Sequence, residues 1–168
     1  MDMLDSMSTK EVLVQIEIGS GQNVKYEVDH QTHRILCDRF LHGPFVYPFN
    51  YGYITHTMGG DGDPLDVVVL CEPSLHPTCF ITCRIIGALI TRDEKGRDEK
   101  ILAVPVASID PFQQDIQEYT DLDKNTLGKI KYFFQHYKDM EPNKFVVVED
   151  FVSSEEAYRI YQTSAFSI

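Results

Sequence analysis

From Glu11 to Ile18 the chain alternates between two sets of side chains, Val12, Val14, Ile16 and Ile18 on one side and Leu13, Gln15 and Glu17 on the other. Period two is the spacing of a strand, and a strand with one apolar face has to be covered by something. Gly19-Ser20-Gly21 turns the chain back into Val24 to Val28, where Lys25, Glu27 and Asp29 share a side. Two such strands with charges on a common side are suited to line a polar cavity. Arg34 to Phe40 reads as a third strand, and Asp66 to Leu70 as a further one. Phe80 to Thr91 reads as a long strand, which a charged hairpin turn, Arg92 to Lys100, returns into Ile101 to Val106. Phe145 to Val148 is the last strand.

Helical periodicity is confined to the second half. Asp123 or Asn125 is placed to cap a helix running through Met140, with Leu127, Ile130, Phe133, Phe134 and Tyr137 as its apolar stripe and Pro142 as its stop. Its other face carries Tyr132 and His136, a candidate subunit contact. Ser153-Ser154-Glu155-Glu156 opens a short terminal helix. The expectation is an α+β fold, mainly β. Residues 1 to 10 read as a flexible leader and residues 11 to 168 as a single domain.

The formal net charge of -11 argues against nucleic acid and against an anionic membrane surface, both of which need a basic face. An anionic substrate remains compatible, provided that cations or a local basic cluster receive it. The cysteines, Cys37, Cys71, Cys79 and Cys83, form no Cys-x-x-Cys pair, so buried free thiols are expected rather than zinc. With no apolar leader or span-length run, the expected location is cytoplasmic.

The chemistry gathers at Gly59-Gly60-Asp61-Gly62-Asp63-Pro64-Leu65-Asp66, which leads straight into Val67-Val68-Val69. A strand starting at Asp66 anchors one carboxylate on rigid backbone, while Gly62 and Pro64 bend Asp61 and Asp63 back towards it. Anions that close repel unless a cation or shared protons lie between them. Taken alone, the stretch also fits a solvated acidic turn. Asp93 and Asp98 flank the charged hairpin turn and are placed to face each other, and Asp98 shares a strand face with Lys100. Tyr47, Tyr51 and Tyr53 offer rings and hydroxyls for a cavity wall. Carboxylates beside lysine, arginine and tyrosine make up the equipment of metal-assisted phosphoryl transfer. Hard oxygen donors hold Mg²⁺, and the cationic and phenolic groups bind phosphate oxygens.

At this point the chain resembles the soluble, Mg²⁺-dependent inorganic pyrophosphatases of the bacterial type. Asp61-Gly-Asp63-Pro-Leu-Asp66-Val-Val-Val matches that family's signature. So do Ile16-Glu17-Ile18, Lys25-Tyr-Glu27, Asp38-Arg39-Phe40, Tyr47-Pro-Phe-Asn-Tyr51-Gly-Tyr53, Asp93-Glu-Lys-Gly96-Arg-Asp98-Glu-Lys100 and His136-Tyr137-Lys138-Asp139, in family order. The resemblance implies a small twisted OB-like five-stranded β-barrel flanked by two helices and a hairpin. It implies hydrolysis of pyrophosphate to two phosphates, which pulls biosynthetic reactions forward, with about three to four Mg²⁺ per site. It implies a homohexamer built of two trimers, and fluoride sensitivity. Asp61, Asp66, Asp93, Asp98 and Glu17 would serve the metals, and Asp63 the attacking water. Lys25, Arg39, Tyr51, Lys100, Tyr137 and Lys138 would bind the phosphates. Glu27 would share the pocket and Tyr47 would pack behind it.

Three rivals remain. As a calcium loop the stretch has Leu65 at the fifth position and Asp66 where glycine is needed. A metal-binding OB-like interaction module would use the tyrosines as stacking platforms, against the charge balance. An inactive relative would be expected to lack part of the residue set.

Overall fold

The computed structural model describes residues 9–166, so most of the expected leader, residues 1–8, lies outside it. The strands are β1 (Glu11–Ile18), β2 (Val24–Val28), β3 (Ile35–Phe40), β4 (Asn50–Ile54), β5 (Asp66–Val69), β6 (Phe80–Asp93), β7 (Gly96–Pro105) and β8 (Val146–Ser153). The helices are α1 (Lys124–His136) and α2 (Ser154–Ser164), and two short 3-10 turns cover Pro111–Gln113 and Tyr119–Asp121.

β1, β4, β5, β7 and β6 follow one another edge to edge, and β1 also pairs with β6, which closes the ring. This is the five-stranded OB-like barrel that the resemblance implied. β8 adds to β6 outside the ring, and β2 and β3 form a separate hairpin. Every pairing is antiparallel except β5 with β7.

Residues of the ring feed two apolar clusters in alternation. Val67, Val69, Ile101 and Ala103 join the cluster that includes Ala157 of α2. Val68, Leu102 and Val104 join Ile130, Phe133 and Phe134 of α1 and the aromatic run Tyr47, Phe49 and Tyr51. With both faces covered, β5 reads as an unbroken apolar run and not as an alternating one.

Several expectations need correction. Ile18 does not stay with Val12, Val14 and Ile16, because a β-bulge intervenes: Ile16 pairs with Gly52 and Ile18 with the next partner, Tyr51. Ile18 thereby crosses to the second cluster, and Glu17, the extra residue, becomes buried. Asp93 and Asp98 are not opposite each other. Asp93 pairs with Gly96 and Asp98 with Thr91, so the two carboxylates are diagonal neighbours on one face, and the turn shrinks to Glu94-Lys95. Asn50–Ile54, read only as an aromatic wall, is strand β4. α1 ends at His136 with Tyr137 as its C-cap, short of Met140, and Asp123 is its N-cap, accepting from the Thr126 amide. Among the cysteines only Cys83 is buried; Cys37 is exposed and the other two are half-buried. All four are free. Tyr132 is 60% exposed, its ring 4.4 Å from that of His136. Among the described residues no helix is long and apolar enough to cross a membrane.

Candidate active site

The acidic loop is shaped by its own backbone. The Gly59 amide donates to Asp63 O (2.7 Å) and the Gly62 amide to Gly59 O (3.1 Å), while Gly62 takes φ +86, a left-handed conformation that glycine adopts without strain. Leu65, 2% exposed, plugs the loop into the core. Its amide donates to Thr57 Oγ1 and its carbonyl accepts from the Ile54 amide. Asp66 then begins β5 and is fixed by register, paired with Tyr53 on one side and with Lys100 on the other.

That parallel register brings Lys100 Nζ to 2.7 Å from Asp66 Oδ2, and the period of two along β7 brings it to 2.8 Å from Asp98 Oδ2. The same ammonium donates to Tyr51 Oη (2.7 Å) and lies 5.4 Å and 5.3 Å from the ring centres of Tyr51 and Phe134. Burial disfavours its charge, but Asp66, Tyr51 and Asp98 outweigh that effect and hold the ammonium well above the ordinary lysine range. Burial raises the Asp98 carboxyl despite Lys100, and Asp66 and Asp93 add to the rise. Burial likewise raises Asp61, with Asp98, Asp63 and Asp66 adding to it and the Asp63 amide opposing it. Glu17 accepts from the Val28 amide (2.8 Å), yet burial lifts its pKa to about 8.

The hairpin supplies the opposite wall. Lys25 stands directly across from Arg39. Like charges so placed repel, and acids intervene: Glu27 lies 2.7 Å and Asp38 3.6 Å from Lys25, and Asp38 lies 3.1 Å from Arg39. The turn after α1 closes the third side. Tyr137 is buried there, and Lys138 Nζ lies 3.6 Å from Asp93 and 4.0 Å from Glu94. Burial lowers the Lys138 pKa.

These walls enclose a cleft of about 250 Å³. All fourteen residues singled out from the sequence line it, Glu17, Glu27 and Tyr47 among them. Sequence reasoning missed His30, Glu94, Lys95 and Lys144, which also line it. Lys95 Nζ sits 3.9 Å from Asp63. It lies in plain view inside the charged hairpin turn, where nothing in the local sequence sets it apart from its neighbours. Lys144 carried no local signal.

The lining holds eight carboxylates and six lysine or arginine side chains, so it suits neither a bare anion nor a bare cation. The acidic donors are all oxygen, the chemistry of a hard divalent ion. Among the described residues no three acid, histidine or cysteine side chains are gathered closely enough to hold a metal as they stand, since Lys100 occupies the space between Asp66 and Asp98. Burial and the neighbouring acids nevertheless raise Asp61 and Asp98, a gathering of carboxylates that a divalent cation would relieve.

Residues 14–167 match the family model of inorganic pyrophosphatase. An inorganic pyrophosphatase of Nanoarchaeum equitans is 47% identical over 150 residues, 89% of this chain and 92% of that protein. One from Helicobacter pylori strain J99 is 41% identical over 163 residues, 96% of this chain and 94% of that protein. The crystal structure of an inorganic phosphatase from Anaplasma phagocytophilum superposes with a TM-score of 0.91 at 39% identity, covering 95% of this chain and 94% of that one. Agreement of this length in sequence, on a barrel of the same shape, makes the chain a member of the inorganic pyrophosphatase family.

Proposed function

We propose that this chain hydrolyses inorganic pyrophosphate to two phosphates with Mg²⁺ as cofactor. The observation that supports this most is Lys100, an ammonium held at 2.7 Å and 2.8 Å between two carboxylates beneath a tyrosine hydroxyl. Such a group is a buried positive charge whose three N–H donors are taken by Asp66, Asp98 and Tyr51, so donors would be freed for a phosphate oxygen when the two carboxylates are drawn away to Mg²⁺. Around it the residues divide the work. Lys25 and Arg39 on the hairpin take the phosphate that leaves. Lys100, Tyr51, Tyr137 and Lys138 bind the remaining phosphate oxygens, and the other phosphate is the one attacked. Water adds to that phosphorus as its bond to the bridging oxygen breaks, and Asp63 Oδ receives the water's proton. Asp63, 63% exposed at its side chain, has the access to solvent that this task requires. Asp61, Asp66, Asp93 and Asp98 would hold the Mg²⁺ ions and Glu17 would support one. Bound Mg²⁺ neutralises phosphate oxygens and lowers the pKa of water. Positioning and charge neutralisation carry the reaction, and no covalent step on the protein is needed.

A phosphate-release assay on the purified chain, with and without Mg²⁺, tests this reading. Expected is turnover of pyrophosphate with millimolar Mg²⁺, abolished by a chelator and restored by added Mg²⁺. No release under those conditions would overturn it. The family resemblance also leads us to propose a homohexamer, two stacked trimers, and light scattering that gave a stable monomer would refute that.

A further inference from the structure

Arg39 is held by more than its own hairpin. Its Nε lies 2.7 Å from Oε1 of Glu141, as an ion pair without the alignment of a hydrogen bond, and Nη1 lies 3.1 Å from Asp38. Nη2 is buried and has no hydrogen-bond partner. Glu141 differs from the other acids of the cleft. It is 7% exposed and does not line the cleft. It sits on the turn after α1, three residues past Lys138, with its amide donating to Lys138 O at 3.0 Å. Among the described residues Arg39 is the only cation within ion-pair distance of it.

A buried carboxylate with a single counter-charge has its place dictated by that charge. A guanidinium is a rigid planar fork, so holding it at Nε and Nη1 fixes its plane. We infer that Glu141 is the positioning residue for Arg39: it pins the guanidinium from outside the cleft, so that the group stands oriented in the cleft wall for a substrate phosphate oxygen. The inference rests on the function proposed above. It also links two walls of the site, since one turn carries both Lys138 and the anchor of Arg39.

The test is a double-mutant cycle of Glu141→Gln, Arg39→Met and the pair, with kcat and KM for pyrophosphate measured alongside thermal melting. Glu141→Gln keeps the shape and removes the charge. It is expected to raise KM roughly tenfold while kcat changes far less, as for an interaction shared by ground and transition states. In the Arg39→Met background the same change should cause no further loss of kcat/KM. Glu141→Gln that lowers the melting temperature but leaves KM unchanged would overturn the inference, as would losses that multiply in the double variant. A wild-type chain without pyrophosphate hydrolysis would overturn the function and the inference together. An active wild type with independent losses would overturn the inference alone.

Discussion

Gly52 lies where the barrel closes most tightly, and Gly52→Ala tests how much that seam carries. A Cβ at this position would stand 2.0 Å from Gln15 O, 2.9 Å from Gln15 C and 3.0 Å from Ile16 Cα, all backbone atoms of β1. Ordinary contact begins at 3.4 Å, so the strands must separate by more than an ångström at the centre of their pairing. β4 cannot slide away freely, because its other edge is in register with β5, Gly52 on Val67 and Tyr53 on Asp66. Breaking about two ladder hydrogen bonds at ~1 kcal/mol each, on top of ~1–3 kcal/mol for overpacking, gives a loss of at least about 3 kcal/mol. For a chain of this length that is a fall in Tm of roughly 6–12 °C. Gly128 provides the contrast. It lies exposed within α1 with nothing within 4 Å of its added Cβ, so Gly128→Ala should stabilise by about 0.5–1 kcal/mol through helix propensity. Calorimetry or urea unfolding of both variants decides the matter. A Gly52→Ala chain that melts within about 2 °C of the parent would refute the reasoning, as would a Gly128→Ala change of the same sign.

Asp66→Asn keeps an oxygen for Lys100 and should leave the fold intact, yet reduce kcat by about a hundredfold or more because the charge proposed to hold a metal is lost; phosphate release and circular dichroism together check this, and near-parental turnover would undo the assignment. Asp123→Ala removes the N-cap of α1. Its bond from the Thr126 amide lowers the carboxyl pKa below 3.8, so the stabilisation exists above that range and fades as pH falls through the folded-state value. The melting deficit of the variant should therefore be present at neutral pH and shrink as acid protonates the folded-state carboxyl; a deficit independent of pH would refute the charged cap.

The elements that were legible in the sequence are those whose signals are local. β1 and β2 have the bounds that period-two alternation and the Gly19–Gly21 turn suggested, and Asp66 does begin a strand. β4 was not legible, because Pro48 and Gly52 broke the pattern and the reason for Gly52 lies across the seam on Gln15. The bulge at Glu17 depends on the register of β1 with β4, which no stretch of one strand reveals. In the site, short-range spacing joined Asp61 to Asp66 and Asp98 to Lys100. Bringing Lys25, Arg39 and Lys138 to the same cleft took the resemblance, since these residues lie on a hairpin and a turn far apart in the chain. Glu141 had no local mark at all; only its distance to Arg39 singles it out.

The parallel pairing of β5 with β7 also bears on the order in which the protein comes together. Its partners, Asp66 and Lys100, are separated in the chain by the whole of β6 and its return, whereas β6 and β7 meet through a tight turn. The β6–β7 pairing is cheap in loop entropy and can form early; the Asp66–Lys100 pairing must wait for a longer loop to close, and the β1–β6 seam for a longer one still. The fixed charge of the cleft thus arises late, when the ring is nearly complete. During refolding, strand content should appear before catalysis, and the return of turnover should report closure of the barrel.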